Sequence, residues 1–126
     1  MEKLTQLNHS EWLVMECVWE KPHTLMELVA SLGSSAGWSK STVATVVRRM
    51  EEKGILRHEE QGRTKIFHSA ISREDVTSRE TKSLLQRAYH GSVGLLVSAM
   101  AKSDGLTKED IDELYEILHR AEEELK

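Results

Sequence analysis

Apolar residues recur at helical spacing almost from the start of the chain. Trp12, Met15 and Trp19, with Leu13 and Val18, form a stripe that runs to about Glu20. Asn8-x-x-Glu11 stands at its head as a capping box, with Leu7 and Trp12 at the flanking staple positions. Pro22 stops this first helix. Thr24-x-x-Glu27 opens a second one, with Leu25, Leu28, Val29 and Leu32 turned inward. Gly33 is expected to end it, and residues 33–37 to form a turn. A third helix begins near Ser39, with Trp38 and Val43 as its staple and Gly54 as its C-terminal stop. Val43, Val46, Val47 and Met50 recur at i, i+3, i+4 and i+7, which is one buried face. Its outer face then holds Ser41, Thr45, Arg48, Arg49 and Glu52, with Lys40 and Thr42 in the first turn. Three β-branched valines lower its intrinsic helix propensity, so packing must hold it.

The period then shortens. Residues 55–59 and 65–69 read as two strands around 60–64, a β-hairpin with Gly62 at its tip and Arg63 and Lys65 beside the turn. Helical spacing returns from about Ser72, where Leu84, Leu85, Ala88 and Tyr89 form a stripe. His90-Gly91-Ser92 predicts a break or a bend, so that residues 72–101 form two helices or one bent helix. Val93, Leu95, Leu96, Val97, Ala99 and Met100 are too apolar for a lone surface helix. Asp104-Gly105 ends that segment, and Thr107-x-x-Asp110 caps a last helix. Ile111, Leu114, Tyr115, Leu118, Ala121 and Leu125 follow at alternating three- and four-residue spacing, the pattern of a helix–helix seam.

Three helices, a hairpin and further helices make a mainly α protein. The first part, residues 1–71, has the element order of a winged helix-turn-helix, and residues 72–126 form a separate helical region. There is no internal repeat, low-complexity stretch or long linker. No apolar run reaches the length of a membrane span, and the first residues have no apolar signal core, so a cytoplasmic protein without a membrane partner is expected.

Charge first argues against a nucleic-acid partner: the 126 residues carry a formal net charge of −4. Its placement reverses that inference. Residues 1–35 carry −3 and residues 69–126 carry −4, whereas residues 36–68 carry +3. The basic block coincides with the third helix and the hairpin. A helix that enters a major groove needs short polar and basic side chains on its outer face. Phosphate contacts are expected from Lys40, Arg48, Arg63 and Lys65, and base contacts from Ser41, Thr42, Thr45 and Arg49, with the helix start at Ser39 offering free N–H groups to a phosphate. One winged module covers too little duplex for selective binding, so a dimer on two half-sites about 34 Å apart is expected. Leu84, Leu85, Tyr89, Leu95, Leu96 and Met100, with Ile111, Leu114, Tyr115 and Leu118, are the expected dimer contacts.

These residues resemble a known family, the penicillinase, methicillin-resistance and copper-transport repressors. The resemblance spans nearly the whole chain. It rests on residues 7–19 (LNHSEWLVMECVW), Trp38-Ser39-x-x-Thr42-Val43-x-Thr45, Arg49-Met50-x-x-Lys53-Gly54 and the glycine–arginine hairpin. It implies a homodimeric repressor whose winged domain binds a palindromic double-stranded DNA operator and whose C-terminal helices dimerise. Ala44, within the matched stretch, offers only a methyl, such as a contact to a thymine methyl. Two departures stand out. Members that respond to β-lactams are cut at an Asn-Phe bond, where this chain has Ser98-Ala99-Met100-Ala101. Members that respond to copper carry Cys-x-Cys pairs near the C-terminus, and the one cysteine here is Cys17. The inducing route is therefore open between a sensor protease and another inducer.

No cofactor or metal site is expected. His9, His23, His58, His68, His90 and His119 are scattered without ligand spacing, although His58 and His68 could face each other across the hairpin. Cys17 is expected to be a small buried hydrophobe, and Trp12, Trp19 and Trp38 core residues rather than a ligand cage. No phosphate loop, nucleophile elbow or zinc-protease motif is present, which argues against an enzyme. Two alternatives stay open: a winged protein-interaction module, and a ligand-responsive regulator of another winged-helix family.

Overall fold

In the computed structural model, residues 6–103 and 105–126 are described. The elements run α1 (His9–Glu20), β1 (His23–Thr24), α2 (Leu25–Ala36), α3 (Lys40–Lys53), β2 (Leu56–Gln61), β3 (Thr64–Ser69), α4 (Arg73–Tyr89), α5 (Val93–Ser103) and α6 (Lys108–Leu125). The strands form one antiparallel sheet in the order β1-β3-β2. Helix-turn-helix and hairpin together make a winged helix.

The helix starts follow the sequence patterns. Asn8 accepts the Glu11 N–H at 2.9 Å and Glu11 accepts the Asn8 N–H at 3.0 Å, a complete capping box. Thr24 and Glu27 repeat it at α2, and Thr107 and Asp110 at α6. Ser39 caps α3 by accepting the Thr42 N–H at 3.2 Å. At the other end of α3, Gly54 has φ 88° and the Gly54 and Ile55 N–H groups return to Glu51 and Met50 carbonyls, a Schellman closure.

The winged unit closes on Val14, Met15, Val18, Leu28, Leu32, Val43, Val47, Met50, Ile55, Leu56 and Phe67, all buried. Trp12, Trp19 and Trp38 pack against this cluster half-buried, and Trp12 meets Trp19 edge to face at 5.7 Å. Val76 of α4 is fully buried in the same core, so the start of α4 belongs to it. The chain divides into two compact units, Met1–Thr81 and Lys82–Lys126, and the division falls inside α4.

Several local expectations are corrected. The second helix continues through Gly33 to Ala36 and stops at Gly37, whose φ of 71° is the left-handed value that ends it. The strand β1 had no signal, since two residues carry no periodicity; it exists because His23 and Thr24 pair with Phe67 and Ile66. The hairpin turn is two residues, Gly62-Arg63, with φ 64° at Gly62, so the strands extend through Gln61 and Thr64. Residues 72–101 are two helices: His90 (φ 52°) and Gly91 (φ 80°) break the path, and Ser92 Oγ accepts the Leu95 N–H at 3.1 Å to start α5. His58 and His68 do not face each other, because His58 pairs with Phe67 and His68 with Arg57, on opposite sheet faces. Cys17 is half-buried, with Sγ 3.6 Å from Ser31 Oγ. Asp104, expected at the end of the fifth helix, lies outside the described residues.

The C-terminal unit differs in kind. Neither α5 nor α6 buries any described residue fully. Leu84, Leu95, Met100, Ile111, Tyr115 and Leu118 are exposed, Tyr115 at 71%, while Leu85, Tyr89, Leu96 and Leu114 are half-buried. No helix is long and apolar enough to cross a membrane among the described residues.

Candidate nucleic-acid interface

Helix α3 turns Val43, Val47 and Met50 into the core, which forces its other side chains outward. They divide into two flanks. On one, Ser41, Thr42, Thr45, Val46 and Arg49 line a shallow depression of about 250 Å³. On the other, Ala44, Val47, Arg48 and Glu51 form one wall of a groove of about 780 Å³. Arg63, Thr64, Lys65 and Phe67 of the hairpin form the second wall, and Thr24, Leu25 and Met26 close the end.

The start of α3 presents three hydroxyls together. Ser39 Oγ lies 3.1 Å from Ser41 Oγ and 3.0 Å from Thr42 Oγ1, and all three residues are exposed beside Lys40. Thr45 is half-buried rather than on the fully exposed face.

The basic block of residues 36–68 splits into two sets. Lys53 and Arg57 each have a carboxylate partner: Lys53 Nζ donates to the buried Glu11 Oε1 at 2.9 Å, and Arg57 Nη1 to Glu59 Oε1 at 3.0 Å in an exposed pair on β2. Lys40, Arg48, Arg49, Arg63 and Lys65 have no ion-pair or hydrogen-bond partner for their side chains among the described residues. Four of them lie along the two flanks of α3 and on the wing, and the fifth in its first turn. Cations without a partner in the fold leave their field available to an external anion.

The expected site residues thus occupy one side of the winged unit, but not as one cluster. Arg48 shares the groove with Arg63 and Lys65, whereas Arg49 shares the depression with Ser41, Thr42 and Thr45. Leu25, Met26 and Glu51 were not expected there. Met26 is 57% exposed because the β1–β3 pairing carries the start of α2 to the wing. That pairing leaves no mark in the sequence, so Met26 had no signal beyond being apolar on an outer face.

No group of three or more His, Cys, Asp or Glu side chains that could hold a metal occurs among the described residues. The acid–base pair with displaced titration that joins two helices lies away from this surface. The Arg73 fork holds Glu16 below the ordinary carboxylate range, with 2.8 Å contacts to both oxygens. Arg73 also lies over the Trp19 ring at 4.7 Å, which fastens the start of α4 to α1.

A winged helix with unpaired cations and hydroxyls on its third helix and wing has the build of a transcriptional regulator. The chain belongs to the penicillinase repressor family, whose model matches residues 7–120. It is 31% identical over 119 residues to the penicillinase repressor of Bacillus licheniformis, covering 94% of this chain and 93% of that protein. It is 23% identical over 119 residues to the methicillin resistance regulatory protein MecI of Staphylococcus aureus, covering 94% and 97%. Among solved structures it resembles the DNA-binding domain of the repressor BlaI, with a TM-score of 0.53 and 29% identity over 60% of this chain and 93% of that one.

Proposed function

We propose that this protein is a homodimeric transcriptional repressor that occupies a palindromic DNA operator. Residues 1–71 read the duplex and the helices of residues 72–126 join the two copies. The single observation that carries the reading is the division of the basic block, in which the cations not used by the fold all lie on α3 and the wing. Lys40, Arg48, Arg63 and Lys65 take phosphates, with the Ser39 end of α3 directed at the backbone. Ser41, Thr42, Thr45 and Arg49 face base edges, and the Ala44 methyl lies on the groove side. The groove of about 780 Å³ between α3 and the wing takes one strand of sugar–phosphate backbone, whose sugars meet Met26 while its phosphates meet Arg48, Arg63 and Lys65. Dimerisation is supported by Ile111, Leu114, Tyr115 and Leu118, an apolar stripe of which no member is fully buried within the chain.

The test is fluorescence anisotropy with duplexes from the region upstream of the gene, titrated against salt, beside a random duplex. Lys65→Ala is expected to weaken both duplexes alike and to lower the salt slope by about 0.9 for each phosphate no longer neutralised. Arg49→Ala is expected to cost about 1–3 kcal/mol of discrimination between them. A uniform loss from Arg49→Ala would move Arg49 to the phosphate set. Absence of any salt-sensitive, sequence-preferring binding would overturn the function itself.

A further inference from the structure

The groove between α3 and the wing holds one carboxylate among its cations. Glu51 lies one turn beyond Arg48 on α3, and its Oε2 is bonded to His58 Nδ1 on β2. Both side chains are partly open to solvent, 26% for Glu51 and 29% for His58. The His58 ring rests against Phe67, with centroids 5.8 Å apart. On the far side of Phe67, β1 contributes His23, whose Nδ1 is engaged by the Lys21 carbonyl at 2.7 Å. Glu60 is the next residue of β2 on the His58 face, paired with Lys65 of β3. The charged groups on the groove walls are Arg48, Arg63 and Lys65 against Glu51 alone.

We propose that Glu51 and His58 form a proton-linked pair inside the DNA interface, so that binding of DNA draws a proton onto His58. The inference rests on the reading of this groove as a backbone site. With a neutral imidazole, Nδ1–H donates to Glu51 and the pair keeps the carboxylate charge, which repels a phosphate in the groove. When a proton from solvent occupies Nε2, the pair becomes neutral overall and Arg48, Arg63 and Lys65 act unopposed. Phosphate and proton thus favour each other's binding, and the coupling is reciprocal. The same contact joins the last turns of α3 to the base of the wing, so the charge change occurs where the two reading elements meet.

The experiment is titration calorimetry of the full chain with the upstream duplex at fixed ionic strength, in Pipes and in imidazole, whose protonation enthalpies differ. Anisotropy at about pH 6 and about pH 8 accompanies it. The wild type is expected to take up protons on binding and to lose about five-fold in affinity per bound protomer across that interval. Glu51→Gln is expected to tighten binding at the upper pH and to move the proton uptake to lower pH, because the imidazolium loses its carboxylate partner. His58→Gln is expected to abolish the uptake, and His68→Gln, on the opposite sheet face, to keep it. Thermal unfolding of each variant separates these effects from loss of fold, and Glu51→Gln carries the test if His58→Gln is unstable. Binding without proton uptake, or uptake that persists in His58→Gln, overturns this inference and leaves the DNA reading standing. Absence of binding at either pH overturns the DNA reading and this inference with it.

Discussion

Lys53 belongs to the basic block, yet its ammonium points into the fold, and replacing it tests whether the division of that block is real. Glu11 is buried, its side chain 8% exposed, and a single oxygen, Oε1, accepts both the Asn8 N–H at 3.0 Å and Lys53 Nζ at 2.9 Å. Lys53 also donates to the Gln6 carbonyl at 3.1 Å. Lys53→Met keeps the apolar stem and removes the charge. Breaking a fully buried pair costs about 3–5 kcal/mol. Here the Lys53 side chain is 26% exposed and Glu11 keeps its backbone donor, so about 2 kcal/mol is the expected loss. That corresponds to a fall of about 8–12 °C in melting temperature, measured by circular dichroism and checked by urea unfolding. Adding Glu11→Gln removes the stranded charge while keeping the capping acceptor, so the double variant is expected to recover at least about half of the loss. The folded Lys53→Met protein is expected to keep the wild-type salt slope for DNA, since Lys53 faces Glu11 and not the groove. A loss below about 0.5 kcal/mol would refute the burial argument. A lowered salt slope would refute the separation of structural from DNA-facing cations.

The remaining predictions concern the α4 anchor and the C-terminal helices. Because Arg73 depresses the titration of Glu16, their pair stabilises the fold fully above the ordinary carboxylate range and loses that contribution as pH falls through the lowered folded value. Arg73→Gln should therefore narrow the stability difference between neutral and strongly acidic solution, and only slightly, because both side chains are about half exposed; an unchanged acid limb in urea titrations would show that the pair contributes nothing. Leu118→Glu should shift sedimentation-equilibrium mass from a dimer to the 14.4 kDa monomer without altering thermal unfolding of the winged unit. A wild type already monomeric at micromolar concentration would defeat the dimer reading.

The features legible in the sequence are those decided within one turn of helix. Asn8 with Glu11, Thr24 with Glu27 and Thr107 with Asp110 satisfy each other's backbone across three residues, so their spacing alone defines the helix starts. The Val43, Val47 and Met50 face of α3 is legible for the same reason, and with it the outward residues. Gly33 and Gly37 show where local reasoning stops. Either glycine can end a helix, and the choice falls on Gly37 because the chain must continue to Ser39, with the Trp38 N–H returning to the Leu32 carbonyl at 3.3 Å. The groove is less legible still. Met26 reaches it through a two-residue strand pairing with β3, and Glu51 meets His58 across the Gly54 turn; neither contact has a periodic signature.

The charge of this protein shows how such contacts decide function. The excess of +3 over residues 36–68 points to the region proposed to meet DNA but assigns no residue to it. The assignment comes from packing: Glu11 of α1 takes Lys53 and Glu59 of β2 takes Arg57, which leaves the cations of α3 and the wing free. Had Glu11 been apolar, Lys53 would add another free cation at the far end of α3, outside the groove and the depression. Nonspecific attraction would then rise without any gain at the bases. On the proposed reading these two pairs contribute to selectivity as well as stability, because within residues 36–68 they leave unpaired cations only on α3 and the wing.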